Sequence, residues 1–357
     1  MIRLEPRQER SSALSIAAPV VAAIAALALA AIPLFIAGAP LGAAYAAMFN
    51  GALGSQFALA ETLTRTTPLI FTGLAVAVAF RARLWNIGAE GQLYVGALAA
   101  VVVGTGMIDA PGFVLIPLLF LAGGLAGAAL MAVPTGLKLK FSVDEVVTSL
   151  LLNFVVLLFV SMMLEGPLKD PMGLGWPQSE AIVDEGTLPV LMARTRVHAG
   201  LILALFMAVI VHIVMARTVW GFETRAVGSN PSAARFAGMS TSMVMLRVGL
   251  VSGALAGLAG VSEVAGLKGY LTQDLSPGFG YSGIVVAMLA GLHPLGVVVS
   301  AFFVAAVFVG ADSMSRAVGV PSYIANLTVA VALLAVLVAG VLTRYRIRIQ
   351  KPGARNV

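Results

Sequence analysis

Long apolar stretches separated by short polar breaks run along almost the whole chain. A helix that crosses a bilayer needs about 20 mostly apolar residues, whereas barrel strands would alternate apolar and polar positions. The unbroken runs of Ala, Leu and Val therefore predict an all-α polytopic membrane protein. We expect one transmembrane domain over residues 13–342, with ten helices near 13–37, 66–80, 89–107, 113–136, 144–164, 198–216, 246–265, 281–292, 295–312 and 321–342.

Two of these spans, 66–80 and 281–292, are short for a bilayer. Short or Gly-interrupted helices occur near the translocation path of transporters. Spans two to five would start outside and spans seven to ten inside, and each group holds one short Gly-rich element. That order is the one an inverted repeat produces, although residue identity does not demonstrate it.

The positions of Lys and Arg orient the helices. With both termini cytoplasmic, 16 of the 22 basic residues lie on the inner side, as the positive-inside rule favours. Residues 1–12 then form a cytoplasmic N-terminus and residues 343–357 a basic cytoplasmic tail. The first apolar run exceeds the core of a signal peptide, which favours a retained span over cleavage.

Composition supports the membrane assignment and removes several functions. The chain is 60% hydrophobic and 11% charged, with a mean hydropathy of +1.00, whereas soluble domains are about a quarter charged. It has no Cys, which excludes disulfides and thiol chemistry. The net charge of +6 fits cytoplasmic loops, and no aromatic-plus-basic pattern indicates nucleic-acid binding.

The stretch "FRARLWNIGAEGQL", residues 80–93, is the most polar point between two apolar runs. Asn86, Glu90 and Gln92 cluster around two glycines, and irregular backbone at membrane depth survives only inside protein or beside water. Two interpretations remain open. The stretch is either a capped helix start at the inner interface or a polar wall of a transport path.

Other polar residues carry weaker signals. Asn153 lies in the middle of a predicted span and must find a partner on a facing helix, with structural hydrogen bonding favoured over ligand contact. Lys138 and Lys140 precede Asp144 and Glu145, which predicts a cytoplasmic ion-pair cluster. Glu263 is placed near an outer helix end, where we expect it to be solvated.

Glycines recur every four residues in two of the spans. Gly249, Gly253 and Gly257 form one ladder and Gly123 and Gly127 another. Such ladders allow close backbone contact between helices. We expect packing within one subunit here, in preference to a dimerisation face.

Catalysis finds no support in the sequence. Neither the G-x-S-x-G nucleophile motif nor the G-x-x-x-x-G-K-[ST] phosphate loop is present. The three His residues lack the spacing of a metal site, so we expect neither a metal nor a cofactor.

Two loops stand out between the spans. Residues 165–197 are rich in Gly, Pro and acidic residues and form the long outer loop. Residues 217–245 form the longest cytoplasmic connection and contain "SNPSAARFAG". Ser229 or Asn230 is the candidate N-cap, Pro231 suits the first turn and Gly238 ends the helix. This pattern predicts a short helix beneath the membrane.

"LWNIGAEGQLYVGALAA" together with "TRAVGSNPSAARFAGM" resembles the permease subunits of bacterial ABC importers for simple sugars and nucleosides. The layout agrees over most of the chain, and "NIGAEGQ" is most similar to the larger permease of nucleoside-type systems. The resemblance implies a bacterial inner-membrane permease without its own ATPase. It also implies three partners: a cytoplasmic ATPase, a second permease in a heterodimer, and an extracytoplasmic binding protein.

The resemblance also implies roles for particular residues. The segment 225–239 is similar to the coupling helix that docks on the ATPase, and the matching positions are Arg225, Gly228, Asn230, Ala233, Ala234 and Gly238. The stretch at residues 80–93 would lie close to the substrate path, for which the candidates are Trp85, Asn86, Glu90, Gln92 and Asn153.

The alternatives are an ion-coupled secondary transporter and a passive facilitator. The first requires ionisable residues in the middle of spans, whereas most charges here fall near predicted span ends. The second would leave the cytoplasmic helix without a task.

Overall fold

The computed structural model describes residues 2–6, 28–106, 108 and 110–349. These residues are helical apart from the connecting loops and two short paired strands at the ends of the chain. In chain order the elements are β1 (Ile2–Pro6), α1 (Ala28–Ile36), α2 (Leu41–Leu53), α3 (Gln56–Arg81), α4 (Ala89–Gly104), α5 (Gly112–Phe141), α6 (Glu145–Glu165), α7 (Gly200–Arg217), α8 (Val219–Ser229), α9 (Pro231–Phe236), α10 (Thr241–Glu263), α11 (Phe279–Leu289), α12 (Pro294–Val318), α13 (Ser322–Arg344) and β2 (Tyr345–Ile349).

Within the described residues, six helices are long and apolar enough to cross a membrane. The bent pair α1 and α2, which meet at 118°, would make a seventh span. The helical membrane protein is therefore confirmed, and the count of ten spans stays a prediction. Most of the first predicted span, residues 13–27, lies outside the described residues.

The second span was predicted too short. Helix α3 has 26 residues and begins at Gln56 instead of residue 66. The error arose because the first half of α3 is rich in Thr. In the structure Thr64 and Thr66 each donate to the carbonyl oxygen four residues earlier, at 2.9 and 2.7 Å. A hydroxyl satisfied in this way allows a polar sequence to form a buried helix.

The eighth span, by contrast, is short as predicted. Helix α11 has 11 residues. The preceding helix, α10, is extended by one π-helical turn, Val264–Lys268. The loop 269–278 then leads into α11.

The chain divides into two compact units, one of residues up to Ala58 with those from Ala306, and the other of Leu59–Ala305. In the second unit, α4, α5 and α10 form the core. Gly257 of α10 meets the backbone of Gly123 in α5, and Gly253 meets that of Gly127. Gly96 of α4 lies against Gly257. The glycine ladders therefore pack within one subunit, as predicted.

The long loop between α6 and α7 covers the residues predicted for the loop 165–197. It contains one 3₁₀ turn, Asp184–Gly186, and is tied to α3 by an ion pair between Arg196 and Glu61.

The two terminal strands pair in an antiparallel manner, with Ile2 opposite Ile349. They belong to the first unit. Residues 7–27 and 350–357 lie outside the described residues. This leaves most of the predicted cytoplasmic N-terminus, and the end of the predicted basic tail, outside them.

Candidate functional site

Residues 82–88 form an irregular connection between α3 and α4, and a ladder of polar side chains on α6 holds this connection and the first turn of α4. Glu145, Ser149 and Asn153 are spaced four residues apart and all face the core. Their side chains accept from the backbone N–H groups of Trp85, Ile87 and Gly91 at 3.3, 3.2 and 2.9 Å respectively. The ladder thus supplies hydrogen bonds that the missing helical turns do not.

Asn153 makes the largest contribution to this ladder. Its Oδ1 accepts from Gly91, and its Nδ2 donates to the carbonyl oxygen of Ile87 at 2.9 Å and to the Tyr281 hydroxyl at 3.2 Å. The side chain is 0% exposed. Asn153 therefore satisfies backbone groups of one segment and positions a tyrosine of another.

Asn86 and Gln92 form a reciprocal amide pair. Asn86 Nδ2 donates to Gln92 Oε1 at 2.8 Å, and Gln92 Nε2 donates to Asn86 Oδ1 at 2.9 Å. Asn86 also donates to Ser252 Oγ on α10, at 2.9 Å, and accepts from the N–H of Gly88. Both amides are buried, so the pair links α4 to α10 through a closed set of hydrogen bonds. We call Asn86, Gln92, Ser149, Asn153 and Ser252 the α4 polar network.

Glu90 lies where two helices begin. It occupies the first turn of α4, and its Oε2 accepts from the N–H of Gly280, in the first turn of α11, at 2.6 Å. The backbone at Gly280 approaches that of Glu90 so closely that a Cβ at position 280 would clash with it. Two helix N-termini, each carrying partial positive charge, therefore meet at one carboxylate.

Trp85 differs from the other predicted path residues because its side chain is 42% exposed. Its ring packs edge-on against Phe80, with ring centroids 4.6 Å apart. Of the five candidates, only Trp85 is exposed. Asn86, Glu90, Gln92 and Asn153 are all buried and hydrogen-bonded within the protein. A role in the substrate path stays a prediction for these residues.

Of the two lysines in the predicted ion-pair cluster, Lys138 forms a salt bridge with Glu145, the first residue of α6. Asp144 instead caps α6, and its side chain accepts from the N–H of Val146 at 2.8 Å. The cluster therefore combines an ion pair with a helix cap.

Sequence reasoning did not single out Ser149, Ser252 or Tyr281. The signal for Ser149 was present, because Glu145, Ser149 and Asn153 recur at four-residue intervals and so share one helix face. No comparable signal marks Ser252 or Tyr281, since their partners come from distant parts of the chain.

The predicted cytoplasmic helix is a pair of helices with a break at Asn230. Asn230 caps α9 as expected, and its Oδ1 accepts from the N–H groups of Ser232 and Ala233 at 3.1 Å each. Gly238 follows α9 with a φ of +84°, a conformation that favours glycine.

The other predicted coupling residues divide into buried and exposed positions. Gly228 on α8 packs against the backbone of Arg81, and Arg225 donates to the carbonyl oxygen of Met215. Ala234 is buried, whereas Ala233 is exposed and Phe236 is 96% exposed. The exposed side of α9 is therefore available for contact with another protein, and α8 attaches it to the end of α3.

The expectation that Glu263 is solvated was wrong. Its side chain is 2% exposed because α10 continues beyond it as the π-helical turn. Glu263 Oε1 and His198 Nε2 are buried without a hydrogen-bond partner in the described part of the chain. The His198 ring lies where a side chain at Gly266 would lie. We call Glu263 and His198 the π-turn group.

Comparison with known proteins identifies the family. The sequence profile described as "branched-chain amino acid transport system / permease component" matches residues 58–342, most of the chain. The chain belongs to this permease family. No solved structure matches it.

Three curated relatives are also permeases. The chain is 39% identical to the glucose ABC transporter permease protein of Haloferax volcanii, over 98% of this chain and 94% of the relative. It is 36% identical to the guanosine ABC transporter permease protein of Bacillus subtilis, over 94% and 97%. It is 30% identical to the nucleoside ABC transporter permease protein of Lactococcus lactis subsp. cremoris, over 88% and 86%.

The protein is thus a multi-pass cell-membrane permease subunit of an ABC transporter. It is not itself an enzyme, since ATP hydrolysis in these systems belongs to a separate subunit.

Proposed function

We propose that this permease forms the translocation path for a nucleoside delivered by an extracytoplasmic binding protein. The observation that carries the proposal is the similarity to guanosine and nucleoside permeases over most of both chains. A simple sugar is the second candidate, because the glucose permease is 39% identical. The two ligands share a ring with adjacent hydroxyl groups, so one polar path suits both.

The α8–α9 pair is the proposed dock for the ATPase. A short helix with an exposed aromatic tip, joined to the core by a packed neighbour, transmits displacement to the spans. Phe236 is the tip, and Gly228 of α8 lies against the C-terminal end of α3. Since α3 leads through residues 83–88 into α4, motion of the dock would reach the α4 polar network.

The proposed topology has ten spans with both termini in the cytoplasm. An even number of crossings returns the chain to its starting side. The pairing of β1 with β2 supports this, because two paired strands outside a membrane must lie on the same side. The first of the ten spans is the one predicted at residues 13–37, of which the structure describes the part from residue 28.

An inverted repeat remains part of the proposal. The short element predicted at residues 66–80 is part of the 26-residue α3, so the short helix of its group is α4. The N-termini of α4 and of α11, the short helix of the other group, meet at Glu90. Facing N-termini of two half-helices are typical of transporters built from inverted repeats.

The remaining partners are a second, smaller permease and a binding protein that contacts the loop 165–197. The apolar side chains that α6 turns away from the core, among them Leu151, Phe154 and Leu158, suit contact with lipid or with the second permease. Trp85, Asn86, Glu90, Gln92 and Asn153 are proposed to shape the path, with the four buried residues holding the segments that line it.

Deleting the ATPase subunit tests the proposed energy source. Uptake of radiolabelled guanosine and glucose would be measured in cells with and without that subunit. Loss of uptake is expected. Uptake that persists on an ion gradient would instead support a secondary transporter, and equilibration without accumulation would support a facilitator.

The dock is tested by Phe236→Glu, with Leu174→Glu as its control. Both side chains are almost fully exposed, at 96%, but Leu174 lies in the loop 165–197. Co-purification of the ATPase is expected to fall only for Phe236→Glu. Ala234 is less informative because it is buried and its substitution would disturb α9 itself. Equal retention of the ATPase in both variants would contradict the dock.

A further inference from the structure

The connection between the π-helical turn and α11 runs deep alongside two helices. Tyr94 of α4 donates to the carbonyl oxygen of Gln273 at 2.6 Å and accepts from the N–H of Ser276 at 3.2 Å. Glu90, one turn earlier in α4, accepts from Gly280. We call residues 273–281 the descending segment, because it follows α4 from Tyr94 toward the start of that helix.

Helix α6 borders the same segment at two levels. Gln273 Nε2 donates to Ser161 Oγ at 2.6 Å, and Asn153 donates to the Tyr281 hydroxyl at 3.2 Å. Asn153 and Ser161 are eight residues apart, or about 12 Å along a helix. The descending segment is therefore anchored to α4 and to α6 at both its ends.

The depth of this segment follows from helix geometry. Tyr94 lies ten residues before the end of α4 at Gly104, which corresponds to about 15 Å. Gly104 accepts from Val183 of the loop 165–197, so that end of α4 lies at the surface where the loop runs. Tyr281 is deeper, because its partner Asn153 lies twelve residues, or about 18 Å, before the end of α6 at Glu165. Since the hydrocarbon core is about 30 Å thick, Tyr281 lies well inside it, whereas Gln273 follows Thr272, which pairs with Gln178 of the loop 165–197.

Polar side chains are nevertheless exposed along the descending segment, both on its irregular part, residues 273–278, and at Tyr281 in the first turn of α11. Gln273 and Pro277 are exposed, the Asp274 side chain is 89% exposed, and Tyr281 is 38% exposed. Exposed irregular backbone at membrane depth does not face lipid, because its polar groups would lose their hydrogen bonds there. It lines a water-filled path or contacts another protein.

We propose that Tyr281, with Gln273 and Ser161, forms a contact surface for the hydroxyl-bearing ring of the transported solute. The Tyr281 hydroxyl accepts from Asn153, and its own proton has no acceptor in the described part of the chain, so it is available to donate to a sugar hydroxyl. The partly exposed ring offers a face for stacking on a nucleobase or a sugar. This proposal rests on the proposed function, whose substrate contacts it names.

Accessibility is the first test, and because this chain has no Cys, no native thiol of this subunit competes with the introduced one. Single substitutions Tyr281→Cys, Ser161→Cys and Leu158→Cys are made in the complete transporter with its ATPase, second permease and binding protein. A small, charged thiol reagent is added from outside. Positions 281 and 161 are expected to react, and guanosine or glucose with loaded binding protein is expected to slow their reaction.

A control frames this measurement. Leu158 is 73% exposed on α6 and apolar, and its Cys variant is expected to stay unlabelled. Failure of Tyr281→Cys to react would place the segment against another protein and overturn the proposal. Reaction that no transported solute slows would overturn the substrate contact.

Transport kinetics separate the ring from the hydroxyl. Tyr281→Phe removes one hydrogen bond and is expected to raise the KM about five- to tenfold. Tyr281→Ala is expected to raise it further. Tyr323→Phe, at a tyrosine that is 68% exposed on α13, is the control and is expected to change nothing.

The solutes compared are guanosine, its 2′-deoxy analogue and glucose. A smaller effect of Tyr281→Phe on the deoxy analogue would place the hydroxyl against ribose, and an effect confined to glucose would assign a sugar path. Unchanged KM values for all solutes that the unmodified transporter carries would overturn the inference. If that transporter carries none of them, it is the proposed function that fails.

Discussion

The α4 polar network and the π-turn group are both buried, yet they differ in how their polar atoms are paired. In the network, each of the three amides uses its donor and its acceptor, as in Asn86, which bonds Gln92, Ser252 and Gly88. In the π-turn group, Glu263 Oε1 and His198 Nε2 have no partner among the described residues. Glu263 lies about 16 Å further along α10 than Ser252.

This difference teaches what a buried polar residue contributes to the permease. A fully paired amide replaces the hydrogen bonds that an interrupted helix lacks, so it stabilises the irregular connection before α4. A buried polar atom without a partner costs free energy instead. Substitutions in the two groups are therefore expected to differ in sign.

The largest effect is expected for Asn153→Leu. The change leaves the N–H of Gly91 and the carbonyl oxygen of Ile87 unpaired, which should lower the free energy of unfolding by about 3 kcal/mol or more. The measurement is reversible unfolding in detergent micelles. Val155→Leu, on the exposed side of the same helix, is the control. Similar free energies of unfolding for the two variants would contradict the structural role of Asn153.

A smaller effect is expected for the amide pair, measured by a double-mutant cycle. Asn86→Ala and Gln92→Ala each lose the reciprocal hydrogen bonds. The coupling free energy should be about 1 to 2 kcal/mol, near the upper range for hydrogen bonds in membrane proteins. Additive effects of the two substitutions would break the claim that they act as one unit.

Glu90 tests the joint between α4 and α11. Glu90→Gln keeps an acceptor for the N–H of Gly280 but removes the charge, so we expect a loss of about 0.5 to 1 kcal/mol from the two helix dipoles. Glu90→Leu removes the acceptor too and should cost more. Thermal unfolding of both variants gives the comparison, and an equal loss would show that the hydrogen bond contributes nothing.

The smallest effect, and one of opposite sign, is expected at Glu263. Glu263→Met replaces a buried carboxyl with an apolar side chain of similar size. Because Oε1 has no partner in the described residues, the change should be neutral or stabilising by about 1 kcal/mol. Destabilisation similar to that of Asn153→Leu would mean that the two regions do not differ as argued.

Much of the architecture was predictable from local pattern. The helix around residue 233, its cap at Ser229 or Asn230 and its end at Gly238 follow from short-range geometry. The structure confirms the helix and chooses Asn230 as the cap. The glycine ladders predicted helix contacts for the same reason, since spacing alone decides which residues share a face.

The errors arose where a residue's environment comes from elsewhere in the chain. Helix α3 began ten residues earlier than predicted because its hydroxyl groups bond to its own carbonyl oxygens. Glu263 was placed at a solvated helix end because sequence alone does not reveal the π-helical turn that extends α10. The path candidates were chosen for their polarity, yet only Trp85 among them is exposed.

Composition and spacing by themselves determined that this chain is helical, that it is a membrane protein and that a polar break separates two helices at residues 81–88. These properties depend on neighbours within one or two turns, which the sequence lists in order. Only the tertiary structure decided that Asn153 reaches Ile87 and Gly91, that Glu90 joins two helix starts, and that Tyr281 is left exposed. Such pairings depend on which distant segments meet, because a polar group away from water needs a hydrogen-bond partner and the packing of the helices decides which residue supplies it.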